Sequence, residues 1–302
     1  MSTPAKAEAP VPGASTIHDI GYRHYTGPRL DRAAARRALY VQSLRSSFGL
    51  GRSAKSKVLP VLLFGVMVLV AGILAAATIV AKLKDLPVDY TRYAIVMQAV
   101  IGLFVAAQAP QAVSHDLRFR TMPLYFSRPV GPVDYVRAKF AATATAVFVL
   151  TAVPLLVMYA GALLAKFDFA DHTKGFAQGL VSVALLSLLF AGIGLVVSAV
   201  TPRRGFGVAA VIAVLTISYG AVSALQGIAF EQNSANAISW IGLFSPITLI
   251  DGVQTAFLGA SSAYPGGEGP SAGAGVVFLL VLIGLLAACY GLLLRRYRKA
   301  TL

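Results

Sequence analysis

Charge is scarce in this chain: 13% of its 302 residues are Asp, Glu, Lys or Arg, while 57% are hydrophobic. A soluble domain carries about a quarter charged residues, so the bilayer is the expected solvent. Cysteine is all but missing. Cys289 is the only one and sits inside an apolar run, which excludes an internal disulfide, a Cys-rich metal site and an N-terminal lipidated cysteine, and leaves packing as its role. The chain has no GxxxxGK[ST] phosphate loop, so it cannot hydrolyse ATP alone. It also lacks HExxH, GxSxG and paired-Asp motifs, which excludes the commoner membrane-enzyme chemistries and leaves no catalytic residue to name. Histidine occurs at 18, 24, 115 and 172 only. His18 and His24 flank Asp19, but a local pair without further ligands reads as an ordinary cytoplasmic segment, and no metal is expected.

What is present is a series of long apolar runs. Six are long enough to cross a hydrocarbon core: about 58–81, 93–113, 140–165, 175–200, 205–230 and 272–294. The predicted fold is an all-α integral membrane protein of six transmembrane helices, with residues 58–302 as one membrane domain. None of the runs carries an Asp, Glu, Lys, Arg or His in its interior. Ion-coupled carriers usually need such groups, so an apolar or amphipathic cargo driven from elsewhere is the better expectation. Gly192 and Gly194, and Gly284, Ala288 and Gly291, are positioned to let helices approach closely, and Pro110 and Pro154 should bend theirs.

The formal net charge of +14 would suggest nucleic acid on a soluble face. Here the basic residues cluster at the edges of apolar runs, which is membrane topology, and no nucleic acid is expected. With the N-terminus inside, 21 of the 26 Lys and Arg fall on the inner side, so both termini are expected in the cytoplasm. No apolar run near the start resembles a signal peptide. The same parity decides the segment WIGLFSPITLIDGVQTAFLG, residues 240–259. A seventh crossing would put Arg295 to Lys299 outside, and Asp251 at mid-bilayer would cost about 2.5–3.5 kcal/mol. It is expected to form a re-entrant or interfacial hairpin on the outer face.

Residues 1–28 read as a disordered cytoplasmic segment, rich in Pro, Ala and Ser at its start. In residues 29–57 an amphipathic helix is expected. Leu30, Ala34, Val41, Leu44 and Phe48 fall near one face, with Arg32, Arg36, Arg37 and Arg45 largely off it. Such a helix can lie on membrane lipids or pack on the rest of the protein, and the two are compatible. Gln98, Tyr159, Thr216 and Tyr219 are polar positions inside or near the ends of runs. They are candidates to line a substrate path, although polar groups at helix contacts also serve as packing glue.

One charged stretch interrupts the apolar runs: DLRFRTMPLYFSRPVGPVDYVRAKF, residues 116–140. Residues 116–126 can form a short basic helix, SRPVGP must turn, and a helix restarts with Pro132 in its first turn and Asp134 at its positive end. The stretch can be a rigid helix across the cytoplasmic mouth or a solvated loop. Its sequence resembles the cytoplasmic loop of ABC-2 type ABC transporter permeases, with Asp116 where that family usually carries Glu. The six runs, amphipathic N-terminal helix and outer hairpin resemble that family's architecture.

The resemblance implies a dimer of permeases, two copies of this chain or this chain with a homologous one, working with a pair of separate ATP-binding subunits that hold ATP and Mg. It implies a bacterial inner-membrane exporter of a drug, lipid or peptide. It also implies that Arg118, Phe119, Arg120, Thr121 and Leu124 form a coupling helix touching the ATPase, with Asp116 bridging to the N-terminal helix. The alternative is a non-transporting membrane anchor or assembly protein that recruits a cytoplasmic partner through its basic inner surface.

Overall fold

A computed structural model describes residues 31–51, 53–119, 130–201, 203–267 and 269–299, together with Gly27 and Tyr125. Among these residues every regular element is helical: α1 (Arg32–Ser47), α2 (Ala54–Val80), α3 (Tyr90–Val96), α4 (Gln98–Arg118), α5 (Pro132–Leu164), α6 (Phe169–Val200), α7 (Arg204–Glu231), α8 (Ala235–Ile241), α9 (Pro246–Leu258) and α10 (Ala272–Lys299). Helices α2, α5, α6, α7 and α10 are each long and apolar enough to cross a membrane, and α3 with α4 makes a sixth if that bent pair is one span. The protein is an all-α integral membrane protein.

Helix α6 is the central post. Its most apolar window is 56% buried, against 11% for α7, so α6 packs on protein and α7 faces outward. Close approach needs small residues, and a methyl on Gly161 of α5 would collide with Ala75 of α2, as one on Gly194 of α6 would with Val105 of α4. Gly192 opposes Cys289 at 3.2 Å from the position of an added methyl, whereas Gly284 and Gly291 meet nothing within 4 Å. Of the two sets of small residues picked out by spacing, the α6 pair makes close helix contacts, and Gly284 and Gly291 do not.

Two sequence expectations are corrected by packing. The second span is not one continuous helix from Tyr93 to Val113: α3 and α4 meet at 61°. The break falls at Met97, which leaves the helical ladder at φ −88° and ψ 11°, while α4 runs unbroken through Pro110 and α5 through Pro154. The cause is tertiary. Tyr93 is buried and donates its hydroxyl to the Met67 carbonyl of α2 at 2.6 Å, which fixes α3 against the bundle.

The N-terminal helix is the other correction. It stops at Ser47, and the chain turns through Gly49 at φ +69°, where an added methyl would lie 2.6 Å from the Ser56 carbonyl oxygen. Residues 54–57 therefore belong to α2. The buried face of α1 is Leu39, Ser43 and Ser47, while Val41 is 39% exposed. Of the apolar stripe read from spacing, Leu44 and Phe48 do pack partly buried on the core, with the Phe48 ring 5.9 Å from that of Phe104, while a polar pocket between α1 and α4 adds the two serines to the packing face.

The segment 240–259 forms no crossing. Helix α8, a single tight turn over Gly242–Phe244 and α9 make a helical hairpin, with Gly259 closing α9 in the left-handed region at φ +61°. The 13 residues of α9 reach about 20 Å, short of a hydrocarbon core.

Candidate coupling surface and transport cavity

The start of α5 is fixed by its own sequence. Gly131 precedes Pro132 at the first helical position, and the Gly131 N–H donates to Asp134 Oδ2 at 3.2 Å. The same carboxylate receives Arg32 Nε at 2.6 Å and lies 3.8 Å from Arg36 Nη1. Asp134 thus caps α5 and ties α1 to it. Tyr40 adds a bond from α1, its hydroxyl donating to Thr145 Oγ1 at 3.1 Å.

Asp116, near the end of α4, is 8% exposed. Its Oδ2 accepts the Tyr135 hydroxyl at 2.5 Å and lies 3.2 Å from Lys139 Nζ, both on α5. The described ion pairs that tie α1 to the bundle come from Asp134; Asp116 meets α1 across a polar pocket of about 200 Å3, whose walls include Ser43, Gln108 and Lys139. The Tyr135 ring stands 5.4 Å from that of Tyr125 and 4.9 Å from that of Tyr297 at the end of α10. The ends of α4 and α10, the start of α5 and α1 are thereby joined around the connection after α4.

Phe119, in that connection, is 59% exposed. Arg118 closes α4 in the backbone. Arg120, Thr121 and Leu124, and with them the expected short helix, lie outside the described residues, as do His18, Asp19 and His24. Arg37 and Arg45 are exposed on α1. Sequence reasoning passed over Tyr135, Lys139 and Tyr297. The alternation of acidic, aromatic and basic residues in VDYVRAKF was the available signal for the first two.

Three of the four path candidates come together. Gln98, Thr216 and Tyr219 line a cavity of about 390 Å3 bounded by α4, α6, α7 and the start of α9. Tyr159 does not join them. Its hydroxyl pairs with Thr173 Oγ1 at 2.8 Å and its ring stacks on Phe176 at 4.7 Å, in a cluster with Tyr90. Ser245 was missed and lines the cavity; the Ser-Pro pair that starts α9 is a helix-start signature that could have marked it.

On the hairpin, Asp251 is 1% exposed. Its carboxylate accepts from Gln254 Nε2 at 2.8 Å and from the Ala263 N–H at 2.9 Å. Gln254 in turn accepts the Ser182 hydroxyl of α6. Burial outweighs these bonds and pushes the Asp251 carboxyl above its ordinary range. Among the described residues, no group of three or more His, Cys, Asp or Glu is arranged to hold a metal ion.

The family model described as ABC-2 family transporter protein matches residues 83–294. The chain belongs to the ABC-2 transporter family. Comparison with curated proteins finds no match. The match takes in both the connection after α4 and the cavity, and leaves α1 and α2 outside it. As an ABC-2 permease, the chain is a multi-pass transmembrane component of a transporter, and the family's ATPase is a separate component.

Proposed function

We propose that this permease is the membrane half of an ATP-driven exporter that pairs with a second permease, identical or homologous, and with separate ATP-binding subunits carrying ATP and Mg. The observation that carries the reading is the linkage around the connection after α4. Asp116 holds α4 to α5 through Tyr135 and Lys139, Asp134 holds α5 to α1 through Arg32, and Tyr135 packs on Tyr297 of α10. A push delivered there reaches four helices together, and ATP can shift the conformation only if the partner makes different contacts in the two states. The cargo is apolar or amphipathic, because the residues lining the cavity include no Asp, Glu, Lys or Arg. The termini lie on the cytoplasmic side of a bacterial inner membrane, by the Lys and Arg count.

The test is purification of the intact complex, identification of its ATPase, and substitution of Arg118, Arg120 and Thr121 by Ala in the permease. Hydrolysis should continue while export falls. Normal export by these variants would overturn the coupling role, and an ATPase whose turnover is indifferent to the permease would favour the anchor reading.

A further inference from the structure

The first turns of two helices line the cavity: Gln98 and Ala99 begin α4, and Ser245 precedes Pro246 and Ile247 in α9. The first N–H groups of a helix have no intrahelical acceptor, and they form the positive end of its dipole. At the α3–α4 break the backbone bonds run from Met97 N–H to the Tyr93 carbonyl and resume with Val100 and Ile101 N–H to the Met97 carbonyl. The N–H groups of Gln98 and Ala99 stay outside that ladder. At α9 the first backbone donor to bond is Leu249, to the Ser245 carbonyl. Ser245 is the N-cap but makes no side-chain cap bond. It is 1% exposed, and its hydroxyl has no partner.

These are donors collected in an apolar setting. A cationic group entering the cavity would meet no carboxylate, since Asp251 on α9 does not line it and is engaged by Gln254 and Ala263. A purely apolar ligand would leave the Ser245 hydroxyl and the helix-end N–H groups unpaired, which is costly away from water. An anion satisfies them together, as phosphates and carboxylates do at helix N-termini and at broken transmembrane helices. The remaining walls, among them Leu103, Phe190 and Leu215, suit a hydrocarbon tail. A volume of about 390 Å3 lies within the range of small-molecule pockets, about 300–1,000 Å3.

We propose that this cavity binds the anionic head, carboxylate or phosphate, of a single-tailed amphiphile, held by the N-termini of α4 and α9 with help from Ser245, Thr216 and Tyr219. The proposal rests on reading the chain as a permease for amphipathic cargo and names the head group that cargo carries.

The test is equilibrium binding to the full chain in phosphatidylcholine nanodiscs, with radiolabelled dodecyl phosphate, dodecanoate, dodecyltrimethylammonium and dodecanol as probes. Gly102→Phe provides the background for partition into the bilayer. A methyl at Gly102 would lie 3.5 Å from Leu215 Cδ1, so a larger side chain there fills the cavity. Thr216→Val with Tyr219→Phe keeps side-chain volume close to the original, and thermal unfolding verifies that each variant is folded. One or both anions should bind about tenfold tighter than the ammonium or the alcohol. That binding should vanish in Gly102→Phe and weaken about tenfold in the hydroxyl-free pair. Binding of dodecanoate alone assigns a carboxylate, and of dodecyl phosphate alone a phosphate. Equal or tighter binding of the ammonium or the alcohol, or anion binding unaffected by filling the cavity in folded protein, overturns the proposal. Since neither ATP nor partner is present, such a failure leaves the exporter reading standing. Intact anion binding in a complex that does not export would sink that reading alone.

Discussion

Arg32 and Asp134 stand 102 positions apart in the chain and meet at 2.6 Å, Nε to Oδ2. The two ends of this contact are not equivalent. The Arg32 side chain is 63% exposed and that of Asp134 is 5% exposed. An exposed arginine gives up little when removed, whereas Asp134 also accepts the Gly131 N–H at the start of α5. Asp134→Ala should therefore cost about 1–2 kcal/mol through the lost cap, and Arg32→Gln less than about 1 kcal/mol. Thermal unfolding of the two variants in the same detergent checks this, and equal costs would contradict the capping role.

Glycines on different helices should respond differently to a single methyl. Gly194→Ala drives a methyl into Val105 and should destabilise by about 1–3 kcal/mol. Gly284→Ala and Gly291→Ala meet open space and should stay within about 0.5 kcal/mol. Denaturation midpoints of the three variants decide the matter.

The contrast also shows what the sequence could and could not reveal. Apolar length is imposed by the bilayer residue by residue, so spans such as α6 and α10 are legible from one chain. Pro132 and Asp134 announce the start of α5 for equally local reasons. Gln98, Thr216 and Tyr219 stood out as polar positions in apolar runs, and the helices bring them to one cavity. Tyr159 stood out in the same way, yet it pairs with Thr173 of α6, a choice made by the packing of α5 on α6. The break at Met97 carries no proline or glycine and follows from the hold of Met67 on Tyr93. The burial of Ser43 and Ser47 on α1 was hidden for the same kind of reason, since they face a polar pocket shared with α4 and α5.

Asp251 gives the hairpin a dependence on pH. Burial raises its carboxyl above the ordinary value, so the folded protein binds this proton more readily than the unfolded chain. The stabilising contribution is complete below the unfolded carboxylate range and is lost as pH rises through the higher folded value. Asp251→Asn mimics the protonated side chain and should flatten the alkaline side of that profile. Unfolding midpoints of parent and variant across acidic to neutral pH supply the comparison, and parallel profiles would show that Asp251 does not titrate during unfolding.

The Asp116 and Lys139 side chains are 11% and 12% exposed, so their ion pair is shielded from water and salt. Removing one charge of a shielded pair takes an opposite charge away from a group held out of water, so Lys139→Met should destabilise by up to about 3 kcal/mol. Asp116→Asn with Lys139→Met removes both charges and should cost less than the sum of the single changes, because the two groups interact directly. Tyr135→Phe deletes one donor to Asp116 and keeps the ring that packs on Tyr125 and Tyr297. If the cluster transmits force from the connection after α4, Tyr135→Phe should insert and fold while lowering export per ATP hydrolysed in the intact complex. An unchanged ratio of export to hydrolysis, with the expected losses of stability in the charge variants, would reduce the cluster to a structural clamp.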